Sequence, residues 1–157
     1  MILRNALFAL SITGLLASCG GPGEQAEIPE AQPAEATSTD IGDHVVHFSA
    51  QSTDALPPEI ADAYDIVRSK NRAMIMVSVI AKADSSPTGA SVAVKAVNLT
   101  GQLKNITMRQ VDDGDAVYYI GEVAVANRET LVFDITITPK GASAASEIRF
   151  KRQFFTD

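Results

Sequence analysis

Between residues 43 and 157 apolar and polar side chains alternate with a period of two, the pattern of half-buried strands. The clearest run is 130–138, where Leu131, Phe133, Ile135 and Ile137 alternate with Thr130, Val132, Asp134, Thr136 and Thr138. Residues 116–125 place Val117, Tyr119, Val123 and Val125 on one side and Tyr118, Ile120 and Glu122 on the other. In 147–155, Ile148, Phe150 and Phe154 alternate with Arg149, Lys151 and Gln153, and Arg152 interrupts the apolar side. Residues 74–80 are almost continuously apolar, which predicts a central strand buried on both faces. Segments 44–49, 91–97 and 102–110 bring the expectation to about seven strands, separated by Gly, Pro, Asn and Asp clusters at 84–89, 98–101, 112–115, 127–129 and 139–141.

One short stretch reads as helix. Pro57, Pro58 and Glu59 suit a first helical turn, and Ile60, Ala63 and Tyr64 then share a face expected to plug an end of the core. Connections this short leave no room for crossover helices. The expected fold is therefore an all-β, antiparallel two-sheet sandwich, immunoglobulin-like, with one short helix.

The N-terminal pattern differs. Arg4 precedes an apolar stretch from Ala6 to Leu16, the form of a secretory signal over residues 1–18 and too short to span a membrane. It ends in Leu16-Ala17-Ser18-Cys19, which resembles the bacterial lipobox, and Cys19 is the chain's one cysteine. The expectation is a lipidated Cys19 holding the protein to the membrane. At about 0.8 kcal/mol per buried CH₂, two or three acyl chains make that anchor effectively permanent. Gly20 in place of Asp favours, by resemblance to Gram-negative lipoprotein sorting, the outer membrane with the domain in the periplasm.

Residues 19–42 then read as the lipidated cysteine and a disordered acidic tether, with Pro22, Pro29 and Pro33 against helix and few large apolar side chains. Its 23 residues after Cys19 would average roughly 25–30 Å end to end. Five carboxylates lie in it and no cation, so the chain's net charge of −6 is mostly tether. The domain expected at 43–157 is nearly neutral. Neither part has the basic footprint of a nucleic-acid binder, and one cysteine excludes an intrachain disulfide framework.

Several segments of the domain carry a family likeness: residues 42–48, 56–61, 64–72, 98–102 (Asn98-Leu99-Thr100-Gly101-Gln102), 114–119 and the terminal Phe154-Phe155. From about residue 42 onward the chain resembles domain-of-unknown-function family 4426 of bacterial proteins. The resemblance implies an all-β sandwich in a secreted or lipid-anchored protein and brings no activity and no functional residues. One departure is Asp65, where the family pattern leads one to expect Gly.

Candidate chemistry is sparse. His44 and His47, three apart on a strand, point to opposite faces and are not expected to share a metal. Asp112, Asp113 and Asp115 around Gly114 lack the ligand spacing of a calcium loop and read as a hairpin turn. Ser69 and Lys70 are adjacent and so aim apart, and no Gly-x-Ser-x-Gly elbow occurs. Arg68, Lys70 and Arg72 form the one dense basic cluster, a candidate contact for an anionic ligand or envelope protein. The competing reading is a solvated loop paired with Glu59, Asp62 or Asp65. The expected role is thus a non-enzymatic binding module of the envelope, without cofactor. The alternatives are an envelope-directed enzyme whose site is assembled in space, and a structural or assembly role.

Overall fold

The computed structural model describes residues 37–157. The expected signal, Cys19 and most of the expected tether lie outside the described residues. Nine strands form two antiparallel sheets. The first holds β1 (Ser38–Ile41), β2 (His44–Ser52), β3 (Arg72–Ala81), β7 (Ala116–Ala124) and β6 (Arg109–Asp113) in the order β1-β2-β3-β7-β6. The second holds β5 (Leu103–Ile106), β4 (Ala90–Asn98), β8 (Glu129–Pro139) and β9 (Ser146–Phe154) in the order β5-β4-β8-β9. Set side by side, β2-β3-β7-β6 and β5-β4-β8-β9 follow the A-B-E-D and C′-C-F-G orders of the immunoglobulin sandwich. The expected fold class is the observed one.

Alternation fills the space between the sheets. Val46, Phe48, Ala73, Ile75, Val77, Val79, Leu131, Phe133, Ile135 and Ile137 are buried there at 2% exposure or less. Three rings carry the packing across: Phe133 stacks on Phe150 at 4.9 Å, and Phe150 meets Phe48 of the opposite sheet at 4.9 Å.

Four expectations need correction. The sheet begins at Ser38, so the last residues assigned to the tether are a strand: β1 pairs with β2 from Ser38↔His47 to Ile41↔His44. The pattern of Thr37–Ile41 is too short and polar to announce a strand, and its pairing is set by the adjacent β2. Next, residues 102–110 are two strands, not one. Thr107 and Met108 carry the chain from the second sheet to the first, and this crossing passes directly over Gly121 of β7. A Cβ built on Gly121 would lie 2.5 Å from Ile106 Cγ2 and 2.6 Å from Met108 Sδ.

The third correction concerns the helix. After a 3-10 turn at Thr53–Ala55, α1 (Pro58–Ala63) lies over the outer face of the first sheet instead of plugging an end. It buries Ala61, leaves Ile60 and Ala63 exposed, and joins a separate cluster of Leu56, Ala61, Ile66, Met74 and Ile120. Lastly, β3 is central in its sheet as expected, but only Met74 is buried on its second face; Met76, at the margin of the α1 cluster, and Ile80 stay half-exposed.

The end of α1 explains the family departure. Ile66 N donates to Ala61 O (2.8 Å) and Asp65 N to Asp62 O (3.2 Å), the paired bonds of a Schellman motif. Asp65 sits at the left-handed position, φ +51°, where glycine carries no Cβ penalty. Ile66 and Ala61 pack together beneath it.

Candidate functional site

The two ends of the sandwich differ. At one end lie the β2–β3 connection with residues 67–71, the β4–β5 turn at 98–102, the β7–β8 turn at 125–128 and the chain after β9. Their adjacency is fixed by hydrogen bonds: Val125 N to Asn71 O (3.0 Å), Lys70 Nζ to the backbone oxygen of Asp157 (3.2 Å), and Thr156 N to Asn127 Oδ1 (3.2 Å).

Thr53 holds the first of these loops. It is fully buried, the one polar side chain in the buried set of the described residues. Its hydroxyl accepts from Ser69 N (2.9 Å) and lies 3.0 Å from the carbonyls of Val67 and Ser69, either of which takes its proton. A buried hydroxyl must be bonded, and here it is bonded in a way that presents Val67, Arg68 and Lys70 outward. Val67 is 65% exposed.

A largely shielded ion pair supports the β4–β5 turn. Lys104 Nζ and the Glu129 carboxylate are 2.7 Å apart at 15% and 11% exposure. Glu129 also accepts from Asn98 Nδ2 (3.0 Å) and Ala126 N (2.9 Å), and Lys104 donates to Ala124 O (2.7 Å). Burial alone would raise the Glu129 pKa; donation from Lys104, Asn98 and the Ala126 amide outweighs it and holds the carboxyl below its ordinary value. Asn98 Oδ1 accepts in turn from Thr100 N (3.2 Å), Thr100 Oγ1 (2.7 Å) and Gln102 N (2.9 Å). The segment 98–102 is therefore a turn tied to β8, with Leu99 left 76% exposed at its tip.

Of the three candidate cations, the structure brings Arg68 and Lys70 to this end and spends the third. Arg68 donates to the Asp54 carbonyl (2.7 Å), which leaves its charge unneutralised. Arg72 points along the sheet into an ion pair with Glu122 (3.1 Å). None of the three pairs with Glu59, Asp62 or Asp65 through a bond seen here. Two further arginines arrive from distant segments: Arg128 in the β7–β8 turn and Arg152 near the end of β9, both exposed and with no side-chain partner among the described residues. Phe155, 59% exposed, lies beside them. Sequence reasoning missed Thr53, Val67, Leu99, Arg128, Arg152 and Phe155, because no local pattern joins them.

The opposite end is acidic. Asp43, Asp84, Asp112, Asp113 and Asp115 lie in or beside the separate turns of this end, as does Lys140, while Lys82 pairs with Asp40 (3.0 Å). Asp113 accepts the Tyr64 hydroxyl (2.8 Å), which raises the Tyr64 pKa, and Asp112 accepts from Gln110 (3.0 Å). The expected hairpin turn is the pair Gly114-Asp115, with φ +60° at Gly114. An open cleft of about 460 Å³ at this end is lined by His44, Asp43, Lys140 and Ser143 among others. His44 and His47 lie on opposite faces of β2, and no group of three His, Cys, Asp or Glu among the described residues could hold a metal ion. Ser69 Oγ accepts from Asn71 N (3.2 Å) and makes no bond with Lys70. No helix among the described residues is long and apolar enough to cross a membrane.

Comparison with known proteins agrees with the architecture. A family model described as "Domain of unknown function (DUF4426)" matches residues 38–157. A crystal structure of a DUF4426 family protein from Pseudomonas aeruginosa PAO1 superimposes with TM-score 0.66 at 32% identity, covering 76% of this chain and 94% of that one. A copper-bound variant of FetP from uropathogenic Escherichia coli strain F11 gives TM-score 0.52 at 10% identity, over 74% of this chain and 93% of that one. FetP from the same strain, isolated after expression in the periplasm, gives 0.51 at 10% identity, over 75% and 92%. At that identity the likeness to FetP speaks to the fold alone. No curated protein matches the chain.

Proposed function

The chain belongs to the DUF4426 family, and since membership brings a fold without an activity, we propose that it is a lipid-anchored envelope protein whose sandwich is a non-enzymatic binding module. Cys19 is the anchor, the acidic residues up to the first strand are the tether, and the outer membrane is the destination that Gly20 favours. The contact surface is the end of the sandwich bearing Arg68 and Lys70. One observation carries this reading: unneutralised cations and large exposed apolar side chains converge on that end from four separate segments, held by buried bonds through Thr53 and Glu129. Arginine and exposed aromatic side chains are enriched at interaction surfaces.

Crosslinking in intact cells tests it. A photoreactive residue at position 99 should give products, and one at position 115, on the opposite end, should not. Equal labelling from both positions, or none from position 99, would remove the surface. Anchoring has a separate readout: Cys19→Ala should abolish acylation, seen as loss of the mass of the acyl groups.

A further inference from the structure

We propose that this same end rests on an anionic phospholipid leaflet, so that the membrane itself is the partner. The inference rests on the binding-module reading above and names its ligand. Three observations point to a leaflet rather than to an acidic protein.

Charge is the first. Arg68, Lys70, Arg128 and Arg152 stand at this end against the side-chain carboxylates of Asp54 and Asp157, with Lys70 Nζ also 3.2 Å from the main-chain oxygen of Asp157. Arg72 and Lys104 are already neutralised by Glu122 and Glu129, and Glu59, Asp62 and Asp65 lie on and just after α1, on the outer face of the first sheet. The five aspartates of the opposite end give the domain a lengthwise polarity that its small net charge conceals. In the field of an anionic surface, such a body turns its basic end toward the lipid.

Apolar exposure is the second. Val67, Leu99 and Phe155 are 65%, 76% and 59% exposed and come from three different loops at that end. Separate apolar tips ringed by arginine and lysine suit shallow insertion at the boundary between head groups and acyl chains.

The direction of the chain is the third. β1 runs antiparallel to β2, and Phe48 N donates to Thr37 O (2.9 Å). Followed back from Ile41 to Thr37, the backbone therefore travels toward Ser52 and the 67–71 loop, which is the basic end. Between Thr37 and Cys19 lie 17 residues, which extend to about 60 Å. A lipid on Cys19 is therefore joined to the domain from the side of its basic end.

Vesicle sedimentation decides the matter. Residues 38–157 carry both sheets and the core, and the crystallised family member consists almost wholly of the matching stretch, so this part stands as a folded unit. It should sediment with vesicles of phosphatidylethanolamine and phosphatidylglycerol, release as salt rises from 50 to 500 mM, and ignore phosphatidylcholine vesicles. At about fivefold per cation near the surface, R68A/K70A should weaken binding roughly thirtyfold. Should that variant melt early, R128A/R152A carries the test, since neither side chain has a partner to lose. Lys140→Ala, on the acidic end, should bind as the parent does.

Equal binding to neutral vesicles, no binding to anionic ones, or indifference to both arginine pairs would overturn the inference. If vesicles are ignored while position 99 still crosslinks to a protein in cells, the leaflet is wrong and the binding module stands. If position 99 captures neither lipid nor protein, both fall.

Discussion

Replacing Lys104 by Met removes a charge from the least exposed ion pair of the domain while keeping most of the side-chain volume. The carboxylate of Glu129, 11% exposed, would retain only Asn98 Nδ2 and Ala126 N as donors. Breaking a buried pair by deleting one partner costs about 3–5 kcal/mol when the survivor is left uncompensated. Two remaining neutral donors offset part of that, so the expected loss is about 2–3 kcal/mol. Glu129→Gln in the same background removes the stranded charge and keeps an acceptor for Asn98 and Ala126. The double variant should then lie within about 1 kcal/mol of the parent, a coupling that separate effects cannot produce. Urea unfolding of residues 38–157 followed by circular dichroism reads both quantities. Acid adds an independent check. The folded Glu129 pKa is lowered, so its contribution is fully present above the ordinary carboxylate value of 4.5 and is lost as pH falls through the lower folded value. Below pH 4.5 the parent should lose stability faster than Glu129→Gln. A cost for Lys104→Met under about 0.5 kcal/mol, or a double variant equal to the sum of the singles, would refute the reasoning.

Other changes probe other joints. Asp65→Gly should stabilise by about 0.5–1 kcal/mol, raising the midpoint of thermal unfolding, because the Schellman position at φ +51° no longer carries a Cβ. Gly121→Ala should cost about 1–3 kcal/mol in urea unfolding, since Ile106 Cγ2 and the Thr107 carbonyl, 2.5 and 3.1 Å from the new Cβ, must both move. Thr53→Val should cost about 1–3 kcal/mol by leaving the Ser69 amide and the carbonyls of Val67 and Ser69 without their shared hydroxyl. Amide exchange should locate that loss in residues 67–71, and exchange unchanged there would argue against the anchoring role of Thr53.

Strand alternation told the fold class and most strand positions, because a residue on a half-buried strand is selected for its face by its immediate neighbours. The family segments 98–102 and 64–72 were legible as well, and the misfit at Asp65 pointed to a turn whose left-handed backbone the structure contains. Period-two patterns carry no information about where a strand changes sheets. Thr107 and Met108 continue the alternation of the residues before them, and only the contact with Gly121 from another strand explains the crossing.

The basic end shows the same division. Arg68 and Lys70 stand out because they lie two residues apart in the chain, and so does Arg72, whose charge is cancelled by Glu122, 50 residues away. Arg128, Arg152, Leu99 and Phe155 are ordinary in their own neighbourhoods. They join Arg68 only because two antiparallel sheets bring every second loop to the same end. Local pattern is enough to tell which strand residues face the core and which segments turn. Tertiary structure decided which charges are spent and which are left, since neutralisation depends on distance in space, and distance along the chain does not report it.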